Sequence, residues 1–419
     1  MRPRREGLRA VVPSRRVPRP VAFWAAAVLL VLVLAASGVP SPLYRVYQEQ
    51  FGFSAGVLAT VFGIYAIALL AALLVVGALS DHVGRRPVIA AGMLLQVAAM
   101  VLFLLADGAG WLMAARVVQG LSVGALTGTL GAMLLDLQRR DRPLGPLLNA
   151  ASPTVGLSLG AVGAGVLVEF VARPTVWVFG ALTAAFALAA AAVLVLPETS
   201  PRLPGALASL RPQVHVPSTQ RGPFLVALPA VVAMWSLGGL YLSLGPSLAA
   251  DVFGIEDHLV GSLLILAMQG MGAVGSVTMW RVPAYTSMLS GCLVFAVGVT
   301  GTVASLLTGS VLLFFVGAVL SGFGFGSAFL GAMGTVTRGV APGERAGLLS
   351  SIFVVGYLAF SLPAIAAGLV AGEVGLRPTA EVYGVVVIVL ALVAVVGLLR
   401  RRRTERVSAA VEQAEPVAA

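Results

Sequence analysis

Long apolar runs are the feature that most constrains this chain. Twelve of them, each about twenty residues or longer, occupy most of the 419 residues. A helix of about 20 apolar residues crosses the roughly 30 Å hydrocarbon core of a bilayer, and its backbone groups pair within the segment. We therefore predict an all-α polytopic membrane protein. The spans are drawn at 21–43, 55–79, 87–106, 111–135, 147–169, 175–196, 223–249, 258–280, 284–307, 309–335, 346–370 and 379–399.

The composition and the placement of reactive residues argue against an enzyme. Only 11% of the residues are charged, whereas soluble domains carry about a quarter. The lone Cys292 permits neither an internal disulfide nor a thiolate metal cluster. His82, His215 and His258 lie in loops far apart in sequence, and no Gly-Lys-Ser/Thr nucleotide loop occurs. We predict no cofactor, no metal site and no ATP-driven pump.

The basic residues predict how the chain is oriented. All 27 of them are arginines, and all but four lie in the N-terminal segment, in alternate loops and in the C-terminal tail, on one side of the spans. The exceptions are Arg45, Arg173 and Arg377 in the opposite loops and Arg116 within a span. By the positive-inside rule, both termini of this multi-pass protein face the cytoplasm, in the cell membrane. Because the arginines alternate with spans, we expect no nucleic-acid partner.

A proline-rich linker divides the spans into two sets of six, and glycines recur at corresponding positions in the two sets. Gly120 and Gly124 in span four correspond to Gly322 and Gly326 in span ten. Any one glycine is explained by close helix packing, but the repeat predicts two similar bundles with a cavity between them. We expect an N-terminal segment at 1–20, a first bundle at 21–196, a linker at 197–222, a second bundle at 223–399 and a tail at 400–419.

The most specific local motif lies at the cytoplasmic end of span two. Residues 77–86 are GALSDHVGRR. Gly77 permits close helix contact, Asp81 is a hydrogen-bond acceptor, Gly84 allows a tight turn, and Arg85 and Arg86 supply donors. The two arginines alone would be ordinary positive-inside charges, whereas the carboxylate and the glycine spacing need a further reason.

This motif resembles the Gly-x-Leu-x-Asp-x-x-Gly-Arg-Arg/Lys signature of the major facilitator superfamily, whose twelve-helix, two-bundle plan the whole chain matches. The resemblance implies a secondary transporter working by alternating access around a midplane site. It also implies that Asp81 and Arg85 form a charge cluster with Asp136. The cluster would receive the start of helix eleven, near 344–348, and latch the halves together. The equivalent stretch 275–281 lacks the aspartate, so the latch should be asymmetric.

An arginine within span four is the second signal. A charge inside a span costs about 3 kcal/mol on insertion scales, so Arg116 should face a partner or a cavity. Alternatively, it snorkels to the nearby outer boundary. Arg116, Gln119 and Gly120 resemble the Arg-x-x-Gln-Gly motif of proton-coupled members, which implies a role for Arg116 in proton coupling. The position that corresponds to Arg116 in the second half is occupied by Ala318.

Span five carries a partial antiporter motif. Gly156, Gly160 and Gly165 resemble the Gly-x-x-x-Gly-Pro-x-x-Gly-Gly pattern that bends this helix in antiporters. Ala161 replaces the proline and Ala164 replaces a glycine, so antiport is supported only in part.

Polar and aromatic positions in the helices expected to face the centre indicate a substrate cavity. The candidates are Tyr65, Gln119, Tyr241, Gln269 and Tyr357. For each tyrosine, packing or anchoring at headgroup level is an equal alternative. The two amides need a partner in lipid.

The spans hold no clearly central acidic residue, so neutral, amphipathic or weakly anionic solutes fit better than permanent cations. If protons drive transport, then Asp136 or an outer carboxylate such as Glu169 must titrate, or water must carry the proton past Arg116.

The favoured function is proton-coupled efflux of small amphipathic compounds, typical of drug resistance, by an antiporter that works as a monomer. Its partners are a small-molecule substrate, protons and the lipid bilayer. Proton-coupled uptake or facilitated transport of a metabolite is the alternative. A non-transporting receptor or scaffold is less favoured because the soluble ends are short. A membrane-embedded enzyme is less favoured because the spans hold no paired titratable groups or metal ligands.

Overall fold

Helices make up nearly all of the described part of the chain. A computed structural model describes residues 17–141, 144–200, 202–341 and 343–414, and for 405–414 it describes the backbone alone. Most of the predicted segment 1–20 and the last residues of the predicted tail therefore lie outside the described residues. The first half comprises α1 (Arg19–Gly38), α2 (Pro40–Phe51), α3 (Ala55–Val76), α4 (Leu79–Val83), α5 (Arg85–Leu104), α6 (Ala109–Leu137), α7 (Gly145–Phe170) and α8 (Pro174–Val193).

The second half follows a short helix in the linker, α9 (Ala206–Ser209). It comprises α10 (Arg221–Ser243), α11 (Gly245–Phe253), α12 (His258–Thr278), α13 (Ala284–Thr308), α14 (Val311–Thr337), α15 (Arg345–Val374) and α16 (Leu376–Ala414). Twelve helical segments in the described part are long and apolar enough to cross a membrane, which confirms the predicted number. We call the end with the arginine-rich loops the inner end and the opposite end the outer end.

Two spans continue well past their predicted ends. The first bends at Val39 and continues as α2, and together α1 and α2 form one spanning segment, Arg19–Phe51. The bend has a local cause, since Pro40 has no N–H to donate to the carbonyl four residues earlier. The last helix continues past position 399 to Ala414, because its arginines are good helix formers outside the bilayer.

The repeated glycines have the same packing role in both halves. A side chain on Gly120 would meet the main chain of Tyr65 in α3, and one on Gly322 would meet the main chain of Met268 in α12. Small residues let membrane helices approach backbone to backbone. The fourth helix of each half thus packs on the second through matching glycines, as the sequence repeat predicts.

The two halves meet at the outer end along two helix pairs. Between α3 and α15, the rings of Phe62 and Phe360 lie 5.0 Å apart and Gly368 packs against Ala59. Between α7 and α12, Gly165 packs against Ser262. Because α3 begins and α15 ends at the outer end, these contacts close that end of the molecule.

Candidate functional site

Arg116 lies at the centre of a buried hydrogen-bond network in the first half. Its side chain is fully buried, so the snorkelling alternative is wrong. The Nε atom donates to the hydroxyl of Tyr44 at 2.7 Å, and a second nitrogen donates to the same oxygen. A third nitrogen donates to Gln119 Oε1 at 2.7 Å and to the carbonyl of Ser37 at 3.3 Å. The network therefore joins α6 to both segments of the first span.

Proline in the first span makes this network possible. Pro40 would occupy the place of the donor to the Ala36 carbonyl, and it has no N–H. Gln119 Nε2 donates to that carbonyl at 3.0 Å instead. A buried carbonyl without a donor is costly in lipid, so Gln119 compensates for the proline across the helix interface. Pro40 is the signal in the sequence from which this hydrogen bond could have been predicted.

Aromatic rings complete the surroundings of the guanidinium group. Its central carbon lies 4.8 Å from the ring centre of Tyr65, 5.3 Å from that of Tyr44 and 6.0 Å from that of Phe103, within the range of cation–π attraction. Among the described residues, Arg116 forms no ion pair with a carboxylate. Its charge is held by neutral oxygens and ring faces alone.

The motif at the inner end folds into a charge cluster. Arg85 Nη1 lies 2.6 Å from Asp81 Oδ1 and 2.5 Å from the hydroxyl oxygen of Ser80. Arg85 Nε lies 3.3 Å from Asp136 Oδ2. The Arg85 side chain is only 8% exposed. The three charged residues that the resemblance groups together are therefore in contact.

Glu198, which the sequence analysis missed, completes this cluster. Its two carboxylate oxygens accept the backbone N–H groups of Arg85 at 2.8 Å and Arg86 at 3.2 Å. A carboxylate at a helix N-terminus binds unpaired donors and opposes the positive end of the helix dipole. Gly84, at φ 112°, makes the turn, and a side chain there would collide with Glu198.

The first part of the linker is fastened to the first half. Thr199 donates to Asp136 at 2.9 Å, Ser200 donates to the carbonyl of Asp81 at 2.9 Å, and Arg86 donates to carbonyls at the end of α8. The partners found for Asp81 and Asp136 thus belong to the first half and the linker. The predicted contact of this cluster with the start of α15 stays a prediction, for a conformation closed at the inner end. Gly77 ends α3 beside the cluster, with helical backbone angles.

The glycines of α7 face two different neighbours. Gly156 and Gly160 pack against Leu34 and Ala35 of α1, whereas Gly165 packs against α12 of the other half. The helix contains Pro153 but no proline at the position where the antiporter motif has one. These three glycines therefore contact both their own half and the opposite half. Their role in bending the helix stays a prediction.

The predicted cavity residues lie in four different places. Tyr65 and Gln119 belong to the Arg116 network. Tyr241 is buried within the second half, where its hydroxyl lies 2.9 Å from that of Thr302. Gln269 is 4% exposed, and its Oε1 has no hydrogen-bond partner among the described residues.

Tyr357 belongs to an aromatic cluster on the second half. The cluster centres on Trp235, whose ring lies 4.8 Å from that of Tyr357, 5.9 Å from Phe329 and 6.1 Å from Phe360. The indole Nε1 of Trp235 is buried and has no acceptor within the described part of the chain. Phe360 also touches Phe62 of the first half, so the cluster lies at the seam between the halves.

One polar contact joins the two halves at the outer end. Glu169 Oε2 accepts the backbone N–H of His258, the first residue of α12, at 3.1 Å, and lies 3.6 Å from the imidazole Nδ1. Among the described residues, no other hydrogen bond or ion pair connects residues 17–196 with residues 223–404. The carboxylate therefore stabilises the closed outer end.

Sequence comparison relates the chain to the Major Facilitator Superfamily and to bacterial multidrug resistance proteins. Residues 25–362 match the profile of the Major Facilitator Superfamily. The multidrug resistance protein MdtL of Escherichia coli O6:K15:H31 (strain 536 / UPEC) is 27% identical over 299 residues, which cover 69% of this chain and 73% of that protein. A homologue of the same name from Escherichia fergusonii is 26% identical over an equal length.

Solved structures share the fold. A bacterial homologue of the human lysosomal transporter Spinster, in an inward-facing and unoccupied conformation, superposes with a TM-score of 0.71 at 16% identity, covering 91% of this chain and 97% of that one. The human organic anion transporter MFSD10 (TETRAN) gives 0.63 at 17% identity, covering 90% and 100%. With the profile match across most of its length, the chain belongs to the Major Facilitator Superfamily and is a multi-pass membrane transporter, not an enzyme.

Proposed function

We propose that this transporter exports small amphipathic compounds in exchange for protons, by alternating access, as a monomer in the cell membrane with both termini in the cytoplasm. The observation that carries the proposal is the buried Arg116 network. A guanidinium group held without a carboxylate is an expensive arrangement inside a membrane protein, and it favours a functional role over a purely structural one.

The position of the network supports a role in coupling charge to movement. Arg116 holds the hydroxyl of Tyr44 in α2 and the main chain at the end of α1. The segment α2 in turn contacts α11 and α12 of the second half at the outer end. A change in charge near Arg116 therefore acts on a segment that takes part in outer closure.

The seam between the halves supports the substrate class. The described spans hold no acidic residue near their middle that would neutralise a cation. The aromatic cluster offers ring faces together with the unpaired indole N–H of Trp235. Such a surface suits flat, neutral or weakly anionic amphipathic solutes with a hydrogen-bonding group. The multidrug resistance relatives in Escherichia favour the same class.

Transport by purified protein in proteoliposomes, under an imposed pH gradient and across a solute panel, tests the proposal. Arg116→Ala should abolish gradient-driven flux while solute binding persists, and Arg116→Lys should restore only part of the flux because it lacks the forked geometry. Arg211→Gln, in the linker, is the control for loss of one arginine. Flux through Arg116→Ala that still follows the pH gradient would refute the coupling role, and solute accumulation driven in the opposite direction would refute export.

A further inference from the structure

A cavity at the inner end lies apart from the Arg116 network and the seam. It has a volume of about 550 Å³ and lies between the start of α1, the end of α6 and the start of α7. This volume is within the range of small-molecule sites. Its walls include Arg19, Phe23 and Trp24 from the first helix, and Arg139, Arg140 and Leu144 from the connection between α6 and α7.

The cavity carries a surplus of positive charge. Arg139 forms a two-point ion pair with Asp141, at 3.0 and 2.8 Å. Hydrogen bonds from Arg139 lower the pKa of this carboxyl below its usual range, so the pair is neutral as a whole at physiological pH. Arg19 donates to the main-chain carbonyl of Asp136 at 2.9 Å, which leaves its charge uncompensated. Arg140 makes no hydrogen bond or ion pair with any described residue. Among the described residues that line the cavity, Arg19 and Arg140 therefore carry uncompensated positive charge.

The neighbouring face of α1 is suited to acyl chains. Val21, Trp24 and Val28 are 55%, 54% and 64% exposed and recur every three or four residues, so they form one apolar stripe. An exposed apolar stripe on a spanning helix lies against lipid, and a tryptophan near the helix start is typical of the membrane interface. The stripe begins two residues after Arg19. Cationic groups at headgroup depth thus adjoin an apolar wall.

We propose that this cavity binds an anionic phospholipid of the bilayer leaflet at the inner end. Arg19 and Arg140 contact the headgroup phosphate, because a guanidinium group matches phosphate oxygens with paired N–H donors. The acyl chains lie along Val21, Trp24 and Val28. Basic pockets between spanning helices are suited to anionic headgroups. The proposal is independent of the transported solute.

Native mass spectrometry of the full-length protein, titrated with phosphatidylglycerol or phosphatidylcholine in mixed micelles, tests this inference. The wild type should retain one phosphatidylglycerol molecule more tightly than phosphatidylcholine. Removal of one arginine should weaken retention of phosphatidylglycerol roughly fivefold. This factor corresponds to the attraction of about 1 kcal/mol between one basic residue and an anionic membrane surface. The variants are Arg140→Gln, whose side chain has no described partner to lose, and the double variant Arg19→Gln/Arg140→Gln.

A matched control separates the cavity from general attraction. Arg211→Gln/Arg221→Gln removes two exposed arginines at the same end outside the cavity, and it should leave retention unchanged. Equal retention of the two lipids, or an equal loss in the control, would overturn the proposal. Displacement of the lipid by inorganic phosphate at millimolar concentration would also overturn it, since it would identify a free-anion site in which the acyl chains contribute nothing.

Discussion

Arg116 illustrates how a buried charge is held in this fold without a counter-charge. The hydroxyl of Tyr44, the amide oxygen of Gln119 and the main-chain carbonyl of Ser37 accept its donors, and ring faces cover the remainder. The sequence identified Arg116 and Gln119 through their motif. The sequence does not show that Tyr44 is the partner of Arg116, because the two residues lie on different spans, 72 positions apart in the chain.

Loss of the Tyr44 hydroxyl should destabilise the protein more than loss of an equivalent neutral contact. Tyr44→Phe removes an acceptor from a buried cation, and we expect it to lower the free energy of unfolding by about 2 kcal/mol, against about 1 kcal/mol for a neutral hydrogen bond. Tyr241→Phe is the matched control, since that tyrosine is equally buried and bonds a threonine hydroxyl. Thermal unfolding in detergent measures both, and equal midpoints would contradict the charge-assisted assignment.

At the scale of elements, the start of α5 depends on a residue more than one hundred positions away. The glycine and arginines of the motif were visible in sequence, and the φ of Gly84 agrees with the expected turn. Glu198 was not recognised, since it lies in the linker and only the folded chain brings its carboxylate to Arg85 and Arg86. Local motifs therefore located the cluster, but not the linker residue that caps it.

Glu198→Ala should loosen the beginning of α5. Removal of a helix cap costs about 0.5–2 kcal/mol, so hydrogen–deuterium exchange of the amides at 85–90 should become faster. Asp257→Ala is the matched control, because Asp257 caps α12 through the N–H of Val260 and its loss should affect α12 alone. Unchanged exchange at 85–90 in Glu198→Ala would show that water replaces the cap at no cost.

Asp81 tests the predicted latch between elements. If Asp81 and its cluster receive the start of α15 when the inner end closes, Asp81→Asn should weaken the outward-open state and reduce transport. Asp141→Asn is the control, as it removes another inner-end carboxylate that is paired with an arginine. Normal flux by Asp81→Asn, at normal expression, would eliminate the latch role.

At the scale of the whole molecule, the sequence predicted the twelve spans and the family, because span length and hydropathy are local properties. Matching glycines predicted that equivalent helices pack alike in the two halves. Local properties of the sequence could not predict that the outer end is closed. Its closure depends on contacts between residues of different halves, such as Phe62 with Phe360 and Glu169 with His258.

Alternating access requires that the outer contacts break in the other state. The Glu169 carboxylate accepts the first N–H of α12, at the positive end of that helix, and stabilises the closed outer end by up to about 1 kcal/mol. This stabilisation is lost when the halves separate. Glu169→Gln should therefore raise the outward-open population up to roughly fivefold. Glu381→Gln is the matched control, because Glu381 pairs with Arg377 within one helix at the same end.

The most direct test is the distance between spin labels at the outer ends of α7 and α12, in Phe170→Cys/Leu263→Cys, both exposed positions. The native Cys292 is buried and should remain unlabelled. We predict two distances, the shorter dominant in the wild type, with the longer gaining in Glu169→Gln and unchanged in Glu381→Gln. A single distance that persists with substrate, with a pH gradient and in Glu169→Gln would contradict alternating access by this molecule.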